Sequence, residues 1–338
     1  MQNQNNIAAF NSPNTFLMGG TAPYRVGAFH LPALELAIKN GENLLVLDNA
    51  TGFDGLHISD LLKDTLDAAN YATSVITFSK ANPNPAASFD ILRAINPYTT
   101  QDFTLENSQY DPCEDAYTHY ASAVADIMYP CSRSEHEEFV RFTKSLLMDV
   151  AKNKPQSDIS LTTAAKELDN DNKFGCTLQE MWQTNGSSAG AFDFSNLANP
   201  KSVCFVRYDN DPCMRALAAA FISTQIWYLH SIVDCSSEHQ LANHVKIVLL
   251  DCASLGRIWH LNRHILTGGK RNISYTLDVN SLTELNAVYP DCWTEIISGL
   301  SNFVPLADTS PIPCQTEEVR SVRTWVPKFF QRARKSFQ

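Results

Sequence analysis

Seven short apolar runs constrain this chain more than any other feature. They are TFLM (15–18), LLVL (44–47), SVITF (74–78), VCFVRY (203–208), KIVLL (246–250), ISYTL (273–277) and, more weakly, NFVPL (302–306). Each has the length of a strand and is too short for a core helix. Most are followed by a polar residue: Asp48, Ser79, Asp209, Asp251, Asp278. Helix-length segments separate most of them. Strands alternating with helices predict a parallel sheet with crossover helices on both faces. In such sheets ligands bind beyond the carboxyl ends of the strands, where these polar residues stand.

The 338 residues leave room for one large domain or two ordinary ones. Hydrophobic residues make up 44% and charged residues 18%, which is a globular chain and not a disordered one. The net charge is −10, so the surface as a whole does not suit nucleic acid. That average hides an asymmetry. Residues 319–338 carry six basic and no acidic side chains, and the other 318 residues carry a net −16. Nine cysteines without any C-x-x-C pair argue against zinc knuckles and disulfide frameworks. Reduced, mostly buried thiols and a cytoplasmic chain are expected. The N-terminus lacks the pattern of a signal peptide. The uncharged stretch ALAAAFISTQIWYLHSIV (216–233) carries Ser, Thr, Gln and His, and reads as a buried helix and not a membrane span.

The middle of the chain changes character. Residues 108–195 hold few strand-like runs but show helical spacing in DAYTHYASAVADIMY, EHEEFVRFTKSLLMDVAKN, LTTAAKEL and TLQEMWQT. A mostly helical insertion is expected there. The expected organisation is 1–107 and 196–318 as two parts of one α/β domain, 108–195 as the insertion, and 319–338 as a basic, aromatic tail. Asn82-Pro83-Asn84-Pro85 and Asn96-Pro97 mark loops before the insertion.

The first run leads into GGTAPYRVGAFHLPALELA (19–37), a strand, a Gly-containing loop and a helix. Phosphate-binding loops have that context, because loop amides and a helix N-terminus face the anion. The pattern G-x-x-x-x-G-K-[ST], laid from Gly19, ends on Tyr24, Arg25 and Val26. Tyr24 lacks the freedom of glycine, Arg25 keeps only the charge of lysine, Val26 has no hydroxyl for Mg²⁺, and Pro23 removes one amide. Taken alone, this stretch reads as an ordinary βα turn. The run 246–250 followed by Asp251 has the form of a strand ending in a Walker B aspartate. Many such ATPases place a Glu next, as base for the attacking water, and here Cys252 follows.

A specific resemblance enters in the last third. The stretch LLDCASLGRIWHLNRHILTGGKRNISYTLDVNSLTELNAVYPDCWTEIISGLSNFVPLAD resembles the signature region of the type IV secretion and conjugation coupling proteins, the TraG/TraD class of P-loop ATPases. The matching residues are Asp251, Leu255, Gly256, Ile258, Ser281, Leu285 and Tyr289. Asn280 and Glu284 stand where the family has two glutamines, the first being its γ-phosphate sensor. Upstream, NLLVLDNATGF is similar to the family strand that carries a D-P-K-G-E turn, through Asp48 and Gly52. SVITFSKANPNPAASFDIL is similar to the next strand and its polar stretch, through Ser88 and Leu92. The similarity in order and spacing runs over about residues 12–308.

The resemblance implies a RecA-like P-loop NTPase-type parallel sheet, an all-α insertion, hexameric assembly and partners in a secretion or conjugation apparatus. It also implies a nucleotide pocket built from Gly19, Gly20, Thr21, Arg25, Asp251 and Asn280. The departures from the family pattern weaken phosphate grip, metal anchoring and water activation together. The expectation is therefore a pseudo-ATPase subunit with no catalytic residue and no bound cofactor, working by protein contacts. An active motor that takes ATP and Mg²⁺, with its base supplied by a neighbouring subunit, is the alternative. No arginine finger can be assigned: Lys270 and Arg271 lie near the family's basic position, but a slip of one or two residues puts Gly269 there. The family's N-terminal membrane anchor has no counterpart in the sequence, so peripheral placement at the inner membrane is the alternative to a free cytoplasmic chain.

Other constellations are weaker. His260 and His264 fall four apart on an expected helix, but Leu261 stands where a zinc protease needs Glu, so no metal site is expected. Asp209-Asn210-Asp211-Pro212 reads as a strand-end turn. No G-x-S-x-G elbow is present. The tail mixes Arg320, Arg323, Lys328, Arg332, Arg334 and Lys335 with Trp325, Phe329, Phe330 and Phe337. It suits an acidic protein surface, with nucleic acid or an anionic membrane surface as alternatives.

Overall fold

The computed structural model describes residues 14–50, 55–80, 89–97, 111–169, 172–184 and 192–306. Gly52, Ser88, the 82–85 loop and the 319–338 tail lie outside the described residues.

All seven apolar runs form strands: β1 (Thr15–Met18), β2 (Asn43–Leu47), β3 (Ala72–Phe78), β4 (Ser202–Tyr208), β5 (Val245–Leu249), β6 (Ile273–Val279) and β7 (Asn302–Pro305). They join one sheet in the order β3-β4-β2-β5-β6-β1-β7, with every pairing parallel. Strand β6 therefore sits between β1 and β5, although it follows both in sequence. This brings the ends of β1, β5 and β6 side by side.

Side-chain alternation divides the core between the two faces. On one face, Leu44 and Val46 of β2 pack with Val203, Phe205 and Val248 beneath three helices. These are α1 (22–39), α2 (Ile58–Leu61) and α3 (Lys63–Ala68). On the other face, Leu45 and Leu47 join Cys204, Val206, Ile247 and Leu249. Burying each aliphatic side chain contributes about 1.5–3 kcal/mol.

The second face is covered by α9 (Pro212–Cys235), which is apolar on every side. It is long and apolar enough to cross a membrane, yet 89% of its apolar window is buried, so it is the core helix that the sequence reading expected. Asp211 caps it, accepting from Cys213 N at 2.9 Å, with Pro212 in the first turn. The Asp209–Pro212 stretch is thus a helix start and not only a turn.

Between β3 and β4 the regular elements are helical: α4 (Ile91–Ala94), α5 (Pro112–Met128), α6 (Arg133–Asn153), α7 (Leu161–Lys166) and α8 (Lys173–Thr184). Asp111, Ser132 and Ser160 cap α5, α6 and α7. These helices do not build a separate core. Tyr117, Tyr120 and Val124 of α5 and Phe139, Leu147 and Val150 of α6 belong to the same apolar cluster as β4 and α9. After β5 come α10 (Cys252–Leu255) and α11 (Leu261–Gly268), and after β6 come α12 (Leu282–Val288) and α13 (Trp293–Ser298).

Candidate functional site

At the carboxyl ends of β1, β5 and β6 the structure brings together all six residues singled out above. Gly19 follows β1 with φ +85°, and a Cβ there would lie 2.8 Å from the Leu306 carbonyl oxygen. Only glycine fits that approach. Gly20 follows, then Thr21, whose carbonyl accepts from Arg25 N at 3.0 Å. Helix begins at Ala22. Three residues thus separate strand from helix, where the G-x-x-x-x-G-K pattern wraps a longer loop around phosphate. Pro23 lies in the first turn and offers no amide.

The Arg25 side chain is buried, 1% exposed. Its Nη1 donates to the carbonyls of Gly20 at 2.7 Å and Gly19 at 3.3 Å, and to Asn280 Oδ1 at 2.9 Å. Its Nε donates to Asp278 Oδ2 at 3.0 Å. His30 Nε2 lies 2.7 Å from the same oxygen. The helix geometry explains how both reach it. In a regular α-helix, residues five apart point about 140° away from each other. Val26–His30 instead form a π-helical segment, with i→i+5 bonding, which sets residue 30 under residue 25.

Asp278 is the hub of this network and is fully buried. Its second oxygen accepts from Asp251 N at 2.9 Å, so it also holds the turn after β5. Burial alone would push its carboxyl up, but the His30 hydrogen bond and the His30 and Arg25 charges outweigh that and hold it below the usual value. Asp251 follows β5 in a left-handed conformation, φ 48°. Its Oδ1 accepts from Asn280 Nδ2 at 3.3 Å, and burial followed by the Asp278 charge pushes its carboxyl up. Cys252 is buried, which raises its thiol pKa and leaves it without the thiolate a nucleophile needs.

The remaining signature residues have structural partners. Gly256 has φ +103° and lies against Ile127 of the insertion. Ile258 N donates to the buried Tyr289 hydroxyl at 2.9 Å. Ser281 caps α12, accepting from Glu284 N at 3.3 Å. Leu255, Ile258 and Leu285 are core. Lys270 and Arg271 stand before β6, at the amino end of the strand opposite the end that carries the site, where Arg271 pairs with Asp234. They therefore face away from this chain's own site. Asp48, at the end of β2, accepts from Ile58 N at 2.8 Å and Arg207 Nε at 3.1 Å, anchoring α2. His30 and Arg207 were not singled out from the sequence, and Asp278 was read only as the polar residue that ends its apolar run. The structure places Asp278 inside β6, which runs on to Val279, rather than just beyond the strand.

His260 is not on a helix face with His264 as expected. It is the N-cap of α11, with φ 55°. Both rings nevertheless meet His119 of α5. Among the described residues no group of three or more His, Cys, Asp or Glu is arranged to hold a metal ion.

No protein-family profile matches the chain, and no curated protein matches it in sequence. Solved structures do match in fold. The bacterial conjugative coupling protein TrwBdeltaN70 in complex with sulphate superposes with a TM-score of 0.55 at 14% identity, covering 87% of this chain and 70% of that one. Its unbound monoclinic form gives 0.53 at 14% identity, covering 85% and 66%. VirB4 of Thermoanaerobacter pseudethanolicus gives 0.53 at 9% identity, covering 92% and 80%. The chain thus spans about two thirds of the coupling-protein structures, and it has their RecA-like fold.

Proposed function

We propose that this chain is a pseudo-ATPase subunit of a type IV secretion or conjugation apparatus, acting through protein contacts on a RecA-like scaffold. The observation that carries the reading is the placement of Arg25. It stands where the loop pattern has its lysine, yet its guanidinium is engaged by Asp278, Asn280 and the two loop carbonyls. A nucleotide phosphate would have to draw that cation from a buried ion pair. The short loop and Pro23 leave few amides to replace it.

The residues present do not fit ATP with Mg²⁺. Val26 is buried and has no hydroxyl, Cys252 has no carboxylate, and the Asp251 carboxyl is pushed up by burial and then by the neighbouring Asp278 charge. Losing one preorganised transition-state group costs about two to three orders of magnitude in rate, and several are altered here. The fold shared with TrwB and VirB4 supports the setting in a secretion or conjugation system.

Calorimetric titration with ATP and Mg²⁺, with phosphate release followed in the same samples, tests the proposal. No saturable heat and no release above background is the expected result. Mg²⁺-dependent turnover that Asp251→Ala abolishes overturns it.

A further inference from the structure

Four histidines from three separate segments meet at the junction of the helical insertion with the sheet domain. His119 comes from α5, His230 from α9, and His260 and His264 from the start and body of α11. Their contacts run in a row. His260 lies against His119 with ring centroids 5.5 Å apart, His119 against His264 at 6.1 Å, and His264 against His230 at 4.4 Å. The row ends where His230 Nε2 meets the Tyr275 hydroxyl of β6 at 2.8 Å. Trp227 and Trp259 flank His119 at 6.2 and 6.4 Å.

Two ring nitrogens in this row, His119 Nδ1 and His264 Nε2, are buried with no hydrogen-bond partner. Protonation would place uncompensated charge there. The charged groups around the row do little to relieve it. From α5, Asp115 Oδ1 stands 4.0 Å from His119 Nε2, and its other oxygen accepts from Trp227 Nε1 at 2.6 Å. From the other side come Arg257, Arg263 and Arg271, whose charges oppose protonation of the row. Arg271 pairs with Asp234 of α9, and Arg257 lies 4.0 Å from Asp291.

We propose that this histidine row is a pH-sensitive latch, which holds α5 against α9 and α11 while its rings are neutral and releases the insertion in mild acid. Release lets the rings of His119 and His264 reach water and take up a proton each. Burial, with smaller contributions from neighbouring histidines and, for His264, from Arg271 and Arg263, already pulls the pKa of both to about 3 in the closed form. An exposed imidazole titrates near 6.5. Two protons are therefore bound by the open form and not by the closed one. The opening constant then rises by roughly 600-fold between pH 7 and pH 5.

Amide hydrogen exchange, corrected for intrinsic rates, tests this on the full chain at pH 7 and pH 5. Protection of α5 amides is expected to fall by hundreds of fold while strands β1, β5 and β6 keep theirs. The His119→Asn/His264→Asn variant is expected to lose most of that pH dependence. His264→Phe, which keeps the packing, is expected to lose about half of it on a logarithmic scale. Constant α5 protection between the two pH values overturns the latch. So does an equal fall in α5 and the strands, which means global unfolding, or an unchanged pH dependence in both variants.

Discussion

At the scale of single residues, the Arg25–Asp278 pair decides how this site behaves. Both side chains are buried, so neither charge can be left alone cheaply. Removing one partner of such a pair costs about 3–5 kcal/mol, toward the lower end for loss of Arg25 because Asp278 keeps its contact with His30. Arg25→Met is therefore expected to lower the free energy of urea unfolding by that amount. Asp278→Leu should do the same, and the double variant should lose less than the sum of the two, since it leaves no orphaned charge. Additive losses measured in this double-mutant cycle would mean the two groups are not coupled. The sequence carried little trace of this pairing. Arg25 and Asp278 stand 253 residues apart and meet only because β6 is inserted between β1 and β5. Gly256 is similar: the motif placed it, but only the structure shows its φ of +103° and its contact with Ile127.

At the scale of elements, much was legible. Every strand-length apolar run became a strand; in the central strands a run buried on both faces needs no alternation to be recognised, while edge strand β3 leaves Val75 exposed. The boundaries moved by one or two residues where hydrogen bonding, and not hydrophobicity, sets the end, as at Asp278, which lies inside β6. Links between distant elements were not legible. Asp90 shows why. One of its oxygens accepts from Leu92 N at 3.0 Å and caps α4, while the other accepts from Leu161 N at 2.9 Å at the start of α7. A single carboxylate thus serves its own helix start and another that begins 71 residues further along the chain. Asp90→Ala should cost about 2 kcal/mol, near the upper end for one lost cap. Asp90→Asn should lie between Ala and wild type, having one acceptor oxygen in place of two. Urea unfolding gives the magnitude, and hydrogen exchange in α7 shows whether that helix loosens first. Equal stability of Asn and Ala variants would remove the case for a shared anchor.

At the scale of the whole molecule, the buried titratable groups divide the acid range into two windows. Burial raises the carboxyls of Asp48, Asp90, Asp126 and Asp251. A raised carboxyl releases its proton first in the unfolded chain, so these groups favour the fold more as pH falls toward 4. They cannot account for acid lability above that. The histidines act in the opposite sense. With folded values near 3 for His119 and His264 and near 2 for His230, their stability contribution is complete above 6.5 and is lost as pH falls below it. Three such groups remove about 5 kcal/mol between pH 6.5 and pH 5 if all become exposed, which is comparable to the whole stability of a typical domain. The site acts lower still. The Asp278 carboxyl is held below its ordinary value, so its contribution stays in place down to about pH 4 and is lost beneath that as it protonates. Acid titration should therefore show two steps. The first, between pH 6.5 and 5, should change the environment of Trp227 and Trp259 beside the histidine row and leave the strands protected. The second, below about pH 4, should remove the sheet. Asp278→Asn should shift the second step and not the first, because that carboxylate lies at the strand ends and the histidine row lies at the insertion. A single transition seen by tryptophan fluorescence and by exchange in β1, β5 and β6 together would show that both regions answer to acid as one unit.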